Sequence, residues 1–260
     1  MCGRYAATMD PTTLIEQFGA ADATGGHFPP VDYNVAPTKD VVTVVQRHPR
    51  DADGTVLPDE PAERSLRVMR WGLVPFWAKD PGVGSKMINA RAETASEKPA
   101  FRKALTSRRC LVPADGWYEW RRAGKEKEAF FMTGPGAAPL AMAGLWETWR
   151  DPKSEPGASP LITFTVLTTE AVGNLVDVHH RMPLLLPQES WASWLDPDSA
   201  DVTSLLTPPS LDLVDALELR PVSSKVNNVR NNGPELLDRA EAMVELDHED
   251  EGALFELPRS

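Results

Sequence analysis

Short runs of alternating or β-branched hydrophobic residues, bounded by Gly, Pro and Asp, dominate the hydrophobic pattern of the chain. Runs of this kind predict β-strands. No apolar run approaches the ~18 residues that a membrane span needs, so no membrane segment is expected. The predicted strands are Val41–Gln46, Ser65–Val74, Cys110–Val112 continuing into Tyr118–Arg121, Ala129–Thr133, Leu140–Trp149, Ile162–Thr169 and Leu217–Val222.

Helix-like patterns are fewer and short. Pro11–Phe18 predicts a helix because Asp10 is a suitable N-cap and Pro11 occupies the first turn. Proline accounts for 24 of the 260 residues, against a usual ~5%, which favours fixed turns over long helices. The other predicted helices are Ala100–Ser107, Glu170–Val178, Glu189–Leu195 and Ser199–Leu206.

The pattern is typical of one domain. It shows no internal repeat and no linker between two hydrophobic patterns, and the polar, Pro/Gly-rich stretches 48–64 and 151–160 are predicted surface loops without an assigned function. We therefore expect an α+β fold, a single domain with a mainly antiparallel, barrel-like β core and peripheral short helices. The domain is expected to cover residues 1–236, followed by an acidic C-terminal tail, residues 237–260.

Charge is distributed unevenly along the chain. The net charge of −11 by itself argues against a nucleic-acid partner. Residues 63–125, however, hold fourteen Lys or Arg and six Asp or Glu, a local charge of +8, whereas residues 235–260 hold nine acids and two arginines, a local charge of −7. Charges beyond a Debye length of roughly 8 Å are largely screened. The basic middle therefore allows an anionic ligand, although two solvated surfaces would give the same pattern.

The two cysteines, Cys2 and Cys110, predict neither a disulfide nor a metal centre. The sequence opens without a secretory signal, so a disulfide between them is not expected, and the expected location is the cytoplasm. Their spacing relative to histidine does not match a zinc site, which needs about four converging ligands. A phosphate-cradling glycine-rich loop is missing as well, so no nucleotide or other cofactor is expected.

Cys2 carries the first candidate chemistry. Removal of Met1 would leave a cysteine with a free α-amine and a thiol, whose reference pKa values are about 8 and about 8.5. Such an aminothiol can act as an N-terminal nucleophile, with the amine as its base. It can also condense with an aldehyde, first to an imine and then, through the thiol, to a five-membered thiazolidine. The residues alone leave both chemistries open.

A series of polar and aromatic motifs follows Cys2. They are Tyr33-Asn34-Val-Ala-Pro-Thr38, Arg70-Trp71-Gly72-Leu73-Val-Pro75, Asn89-Ala-Arg91-Ala-Glu93-Thr94, Gly116-Trp-Tyr-Glu119-Trp120, His179-His180-Arg181-Met182-Pro183 and Val226-Asn-Asn-Val-Arg230. In this order behind a cysteine at position 2, they resemble the SOS response-associated peptidase family, also called abasic-site processing proteins. The resemblance runs from Cys2 to about Leu236.

The resemblance implies a specific reaction. It implies that the chain senses abasic sites in single-stranded DNA, and that the mature N-terminal cysteine forms a thiazolidine crosslink with the ring-opened deoxyribose aldehyde. It also implies removal of the chain's own Met1, from which the peptidase label derives, and a reversal activity that releases the DNA. The expected partner is therefore single-stranded DNA with an abasic site, and the chain is expected to act as a monomer.

The resemblance assigns the catalytic roles to four residues. Cys2 supplies the amine and the sulfur. Glu119 lies between aromatic residues, where a carboxyl group suits proton transfer during sugar-ring opening and imine formation. His179, rather than the adjacent His180, matches the family motif and provides an imidazole for closure and reversal of the linkage. Asn89 holds the sugar or the Cys2 amine through its side-chain amide.

Further residues are candidates for contacts with DNA. Arg4 and Arg91 are expected to bind phosphates, because the guanidinium fork matches phosphate oxygens. Asn34 is expected to line the entrance to the site. Three tryptophans are expected to stack on bases or to wedge the strand beside the lesion, worth ~1–3 kcal/mol per stacked base. These tryptophans are Trp71, Trp77 and Trp120.

Two other functions share part of this pattern. Class II glutamine amidotransferases also begin Met-Cys-Gly, so an N-terminal-nucleophile amidohydrolase accounts for Cys2 but not for the later motifs. A non-covalent module for single-stranded DNA accounts for the basic and aromatic residues but gives Cys2 no role. Crosslinking to an abasic oligonucleotide, compared with a glutaminase assay, separates the three.

Overall fold

The computed structural model describes residues 2–124, 126–155 and 157–240. Within them the helices are α1 Pro11–Phe18, α2 Arg102–Ser107, α3 Trp191–Leu195 and α4 Leu211–Asp215, and several single turns of 3-10 helix connect the strands. The strands are β1 Arg4–Ala7, β2 Ala21–Asp22, β3 Asp32–Val35, β4 Asp40–Arg47, β5 Glu63–Trp71, β6 Asn89–Arg91, β7 Arg109–Ala114, β8 Gly116–Ala123, β9 Glu126–Thr133, β10 Leu140–Trp149, β11 Leu161–Glu170, β12 Arg181–Pro183 and β13 Glu218–Val222.

The strands form two sheets. The first is antiparallel, with the strand order β13-β9-β8-β1-β3. The second follows the order β12-β11-β10-β7-β4-β5-β2, and the short strand β6 pairs in parallel with β11. A parallel pairing of β11 with β5 joins distant strands of this second sheet. The result is a ring-like core, so the predicted mainly antiparallel, barrel-like α+β fold is confirmed.

Side chains alternate between the two faces of the second sheet and so form two hydrophobic clusters. Inward-facing residues of β4, β5, β7, β10 and β11 pack with residues of β1 and β8 from the first sheet, and this inner cluster includes Cys2, Trp71 and Trp146. The opposite faces pack against the helices, for example against Phe18 of α1 and Trp194 of α3. Strand alternation explains this division, because successive side chains point to opposite faces.

Helix α1 begins and ends as its sequence predicts. The side chain of Asp10 accepts hydrogen bonds from the backbone N–H groups of Thr12 and Thr13, at 3.0 and 3.1 Å, and Pro11 occupies the first turn. Gly19 closes the helix in the left-handed conformation, with φ of 55°. Among the described helices, none is long and apolar enough to cross a membrane.

Two predicted helices are wrong. Glu170 ends β11, and only a 3-10 turn, Gly173–Asp177, follows it where a helix over Glu170–Val178 was expected. Similarly, Ser199–Leu206 contains only the 3-10 turn Thr203–Leu205. Gly173 has a φ of 59°, a conformation that interrupts a right-handed helix.

The C-terminal part of the described chain packs on the edge of the first sheet. Arg239 forms a bridge with Val222, and the N–H of Ala240 donates to the carbonyl of Pro221 at 2.8 Å. Residues 241–260, which make up most of the predicted acidic tail, lie outside the described residues.

Candidate functional site

Cys2 lies two residues before β1, a strand between β8 and β3 in the first sheet, and is fully buried in the inner cluster. The antiparallel register pairs Arg4 with Tyr118 and Tyr5 with Trp117, which fixes the start of the chain beside β8. Burial, and secondarily the negative charge of Glu119, raise the pKa of the Cys2 thiol above its ordinary value. In this environment the thiol is therefore protonated at neutral pH. Both cysteines of the chain are free.

Glu119 is a buried carboxyl on β8, with an exposed fraction of 4%. Because side chains alternate along a strand, Glu119 shares the inward face of Trp117. Its charge acts on two of the other predicted catalytic residues: it raises the pKa of Cys2 and opposes the lowering of the pKa of His179. The first sheet thus brings the carboxyl within electrostatic range of both groups.

Asn89 joins the second sheet to the start of the chain. Its Nδ2 donates to the backbone carbonyl of Cys2 at 2.6 Å. The strand that carries it, β6, pairs with β11 through the register Asn89 with Val166. Its Oδ1 is buried and accepts no hydrogen bond from the described residues. Since an unsatisfied buried acceptor costs about 1–3 kcal/mol, this oxygen is suited to receive a donor from a bound group.

His179 lies in the loop before β12. Its Nδ1 lies 2.9 Å from the backbone nitrogen and 3.2 Å from the backbone carbonyl oxygen of Arg181, so the backbone of Arg181 holds this edge of the ring. Burial lowers the pKa of His179, and the charge of Glu119 partly opposes that effect. The His180 ring stacks on it, with 4.3 Å between the ring centroids. The predicted choice of His179 over His180 stays a prediction.

An ion pair that was not singled out from the sequence supports this loop. Nη1 and Nη2 of Arg181 donate to the two carboxylate oxygens of Glu93 at 2.8 and 2.9 Å, and Nη2 also donates to the carbonyl of Thr168 at 2.6 Å. The pair lowers the pKa of Glu93. It connects the segment after Asn89 to the segment after His179. Both partners lie in motifs quoted above, but their pairing is not visible in the sequence.

Arg4 and Trp120 lie on the other face of the first sheet from Glu119. The Arg4 guanidinium lies 5.8 Å from the centre of the Trp120 ring, and the Trp120 indole N–H donates to Asn227 at 2.7 Å. Nη1 of Arg4 donates to Asn34 at 2.7 Å and to the carbonyl of Val226 at 2.9 Å. Arg4 is half-buried, so part of its guanidinium already serves the fold.

The expectation that Asn34 lines an entrance is wrong. The residue is fully buried, and its side-chain amide donates to the backbone carbonyls of Val226, Asn228 and Asn231 at 3.3, 3.2 and 2.9 Å. With the bond from Arg4, its hydrogen-bonding groups are used within the fold. Asn34 therefore anchors the segment 226–231 against β3.

The expectation that Trp71 stacks on bases is wrong as well. Trp71 is fully buried, with Tyr5 edge-on at 5.1 Å and Phe164 stacked at 6.5 Å between ring centroids. Its indole N–H donates to the carbonyl of Ile88 at 2.9 Å. The side chain thus presents no face to a ligand and instead supports the segment that leads into Asn89.

Exposed aromatic residues follow shortly after Trp71 in the chain. Trp77 is 55% exposed, and Phe76, which was not singled out from the sequence, is 57% exposed. Both line a groove of about 950 Å³ that also includes Glu93 and Lys103. Because Glu93 pairs with Arg181, the groove adjoins the loop of His179. The sequence shows Phe76 only as the neighbour of Trp77, and its exposure is visible only in the structure.

Arg91 is exposed at the end of β6 and forms no ion pair with the described residues. The register places it next to Thr168 of β11, two residues from Asn89. Its guanidinium is therefore available to an anion. Within the described part of the chain, no group of three or more His, Cys, Asp or Glu residues is arranged to hold a metal ion.

Comparisons with known proteins identify the family of the chain. The profile of the family described as SOS response associated peptidase (SRAP) matches residues 1–229. The chain is 40% identical to the abasic site processing protein YoqW of Bacillus subtilis (strain 168) over 243 residues, which cover 92% of this chain and 99% of that protein. It is 31% identical to the abasic site processing protein HMCES of Xenopus tropicalis over 275 residues, which cover 91% of this chain and 78% of that protein.

Solved structures match the fold. A crystal structure of a protein from Bacteroides thetaiotaomicron superposes with a TM-score of 0.75 at 23% identity, covering 92% of this chain and all of the other. A crystal structure of a protein from Bordetella bronchiseptica superposes with a TM-score of 0.66 at 26% identity, covering 85% of this chain and all of the other. Since the family profile matches nearly the whole described chain, the protein belongs to the SOS response associated peptidase (SRAP) family.

Proposed function

We propose that the chain processes abasic sites in DNA by capturing the sugar aldehyde of the lesion on Cys2. The observation that carries the proposal is the convergence of Cys2 with an amide, a carboxyl and an imidazole from three other segments. The amide is bonded to the Cys2 backbone, and the carboxyl acts electrostatically on both the thiol and the imidazole. The names of relatives at 31–40% identity support abasic-site DNA as the substrate.

The reaction begins at the α-amine that removal of Met1 would free. The amine attacks the aldehyde carbon of the ring-opened sugar, and loss of one water gives an imine. The thiol then adds to the imine carbon: a C–S bond forms, the thiol proton moves to nitrogen, and a thiazolidine closes. The overall change is the joining of protein and DNA with loss of one water, so no oxidant, metal or nucleotide is required. Met1 itself lies outside the described residues.

Each neighbouring residue has a task in these steps. Asn89 holds the Cys2 carbonyl and offers its unsatisfied Oδ1 to the free amine or to a sugar hydroxyl. Glu119 serves as the proton acceptor and donor for ring opening and water loss, because it lies near both Cys2 and His179. His179 offers its imidazole to the sugar oxygen, and the backbone of Arg181 holds the Nδ1 edge of the ring and so orients it.

DNA would follow the exposed surface next to this site. Trp77 and Phe76 are exposed aromatic side chains on which unstacked bases can stack, which favours a single-stranded substrate. Nζ of Lys103 lies 5.4 Å from the centre of the Phe76 ring and adds a positive charge beside it. Arg91 offers an unpaired guanidinium to a phosphate. Trp120 lies on the other face of its strand, where Arg4 covers part of its ring. For Trp120 and Arg4 we propose contacts with a part of the DNA strand that passes over this face of the first sheet.

Two finer activities belong to the same proposal. The chain removes its own Met1, and hydrolysis of the thiazolidine, with His179 supplying a proton to the leaving nitrogen, releases the DNA. Action as a monomer in the cytoplasm stays a prediction.

The test is intact-mass spectrometry of the purified chain with and without a single-stranded oligonucleotide that carries one abasic site. The expected product has the mass of the Met1-free chain plus the oligonucleotide minus one water, and it survives denaturation. The same oligonucleotide without the lesion should give no adduct. The variant Cys2→Ala should give none, whereas Cys110→Ala, which removes the other buried thiol of the same cluster, should still give it.

The alternatives predict other results. A denaturation-resistant adduct in Cys2→Ala, or no adduct from the Met1-free chain, would overturn the proposal. Ammonia release from glutamine without an adduct would assign the chain to the amidohydrolases. Equal non-covalent binding of intact and abasic oligonucleotides without an adduct would indicate a DNA-binding module.

A further inference from the structure

Three arginines and one tryptophan meet at one end of the ring-like core, away from Asn89. The guanidinium of Arg47 lies 5.1 Å from the centre of the Trp146 ring, and that of Arg108 lies 5.8 Å from it. Arg50 and Arg67 are also close enough that their charges lower the pKa of Arg47, but Arg50 donates to the carbonyl of Gly54 in its own loop. We name this group, Arg47, Arg67, Arg108 and Trp146, the arginine cluster.

Strand alternation explains why these side chains converge. Arg47 follows Val45 by two positions on β4, and Arg67 precedes Met69 by two positions on β5, so the members of each pair point to the same face. Arg108, just before β7, likewise precedes Cys110 by two positions. The three hydrophobic residues Val45, Met69 and Cys110 all belong to the inner cluster. The arginines therefore belong to the inward-facing rows. Arg47 ends β4 and Arg108 precedes β7, whereas Arg67 lies opposite Thr43 in the middle of β5.

Negative charge is scarce around the cluster. Glu147 pairs with Arg108 at 2.9 Å. Glu63 faces Arg47 in the register of β4 and β5, but within the described residues neither Arg47 nor Arg67 forms an ion pair. Burial first, and then the positive charges of neighbouring arginines, lower the pKa of Arg47. Like charges are thus held together without enough carboxylates to balance them.

The cluster also contains an unsatisfied donor. The Nε of Arg67 is buried and has no hydrogen-bond partner among the described residues. A buried donor without a partner costs about 1–3 kcal/mol, and more when it is charged. All three arginines are only half-buried, and the Arg108 side chain is 24% exposed, so solvent and small anions can reach them.

We propose that the arginine cluster binds a phosphate group. Several guanidiniums from separate strands provide more donors and charge than one carboxylate requires, and phosphate oxygens match the guanidinium fork. A phosphate group carries one negative charge in a DNA backbone and nearly two in a terminal monoester, and both fit the excess of arginine over carboxylate. The group comes from a free phosphate ester or from a DNA backbone, and the two sources are separable by experiment.

The cluster is distinct from the site at Cys2. Arg67 precedes Trp71 by four positions on β5, which is roughly 13 Å of strand, and Trp71 contacts the residue next to Asn89. None of the residues proposed for catalysis belongs to the cluster. Phosphate binding therefore does not depend on the crosslinking chemistry, and each can fail without the other.

Thermal unfolding of the full chain in sodium phosphate, compared with sodium chloride at the same pH and ionic strength, tests the proposal. Binding to the native state should raise the Tm by about 3 °C when phosphate is in tenfold excess over its dissociation constant. Arg67→Gln and, independently, Arg47→Gln should lose the shift, and Arg67→Lys should keep part of it. Arg122→Gln removes an exposed arginine of β8 and should leave the shift unchanged.

The source of the phosphate follows from a second measurement, the affinity for an undamaged single-stranded oligonucleotide. Loss of affinity in Arg67→Gln but not in Arg122→Gln supports the proposal with a DNA backbone as the source. If Arg67→Gln keeps its affinity for the oligonucleotide but loses the phosphate-dependent shift in Tm, the result supports the proposal with a free phosphate ester as the source. A wild-type chain without a phosphate-specific shift, or equal shifts in all variants, overturns it. Cys2→Ala should keep the shift even if no adduct forms in any variant.

Discussion

Two regions around Cys2 differ in burial and in the number of internal contacts that fix their side chains. The inner site, which we define as Cys2, Asn89, Glu119 and His179, is fixed by strand register, buried neighbours and backbone hydrogen bonds. The outer surface, which we define as Phe76, Trp77, Arg91 and Trp120, lies at or near solvent. Three of its members, Phe76, Trp77 and Arg91, are well exposed.

The difference indicates a division of tasks. Burial and fixed geometry suit proton transfers, which require groups held in one arrangement. Exposure and few internal bonds suit stacking and phosphate contacts, which adapt to different sequences. Changes in the inner site should therefore alter the rate of adduct formation at saturating DNA, whereas changes on the outer surface should alter affinity.

The largest effect is expected for Glu119→Gln. The amide is close in size but cannot take up a proton, so the rate of adduct formation at saturating DNA should fall by about 10²–10⁴-fold. DNA affinity, measured with an undamaged oligonucleotide, should change little. Glu128→Gln on the neighbouring strand, an exposed carboxylate paired with Arg121, is the matched control. A normal rate in Glu119→Gln would remove this residue from the mechanism.

A smaller effect is expected for Trp77→Ala. Loss of one base-stacking contact costs ~1–3 kcal/mol, or about 5- to 150-fold in affinity, measured by fluorescence anisotropy with single-stranded DNA. The rate at saturation should stay near that of the wild type. The contrast is Trp71→Ala, which should lower the free energy of unfolding by about 3–5 kcal/mol because Trp71 is buried. Equal affinity losses in both variants, after correction for the folded fraction, would argue against stacking by Trp77.

Arg91→Ala should weaken DNA binding moderately and change its salt dependence. One lost phosphate contact reduces the slope of log affinity against log salt by about 0.7 for a single strand. Titrations at several salt concentrations measure this slope. Lys153→Ala, which removes an exposed charge in a surface loop, should leave it unchanged. An unaltered slope in Arg91→Ala would show that this guanidinium does not contact phosphate.

The smallest expected change concerns pH. Burial disfavours the charged imidazole and lowers the pKa of His179 below 6.5, so the neutral ring should persist to lower pH than a free imidazole does. The rate of adduct formation at saturating DNA should therefore stay constant as the pH falls to 6.5. It should decline only at lower pH, where His179 takes up a proton. Initial rates of the wild type and of His179→Gln over a pH series measure this decline at low pH. If the rate of the variant declines over the same pH range, the decline is caused by another group.

Long alternating strands and capped helices were predictable from the sequence. Strand β10 has the predicted bounds Leu140–Trp149, and α1 has the predicted bounds Pro11–Phe18. Strands β1, β3, β6 and β12 have only three or four residues, too few for a period to be recognised. These strands carry or flank most of the inner site, so its assembly could not be derived from periodicity.

The two corrected residues show what a motif leaves undetermined. Trp71 belongs to a family-like motif, but its inward position depends on the pairing of β5 with β11, about ninety positions later in the chain. Asn34 is buried because the distant segment 226–231 closes over it. In both cases the residue type was compatible with a DNA contact, and long-range packing decided otherwise.

Packing explains why position 72, in the same motif as Trp71, is a glycine. Its φ is 117°, and a Cβ there would lie 2.6 Å from the carbonyl oxygen of Gly84. The chain turns at this point from β5 towards the segment that leads into β6. A side chain at position 72 would push that segment away, and Asn89 would move with it.

The position of β1 inside the first sheet, between β8 and β3, has a practical consequence for anyone preparing the protein. An affinity tag fused ahead of Met1 would have to leave through the buried surroundings of Cys2, and any residue left over after tag cleavage would occupy the place of the α-amine. Recombinant versions should therefore carry their tags at the opposite terminus, and a preparation tagged at the front should not be used as a measure of activity.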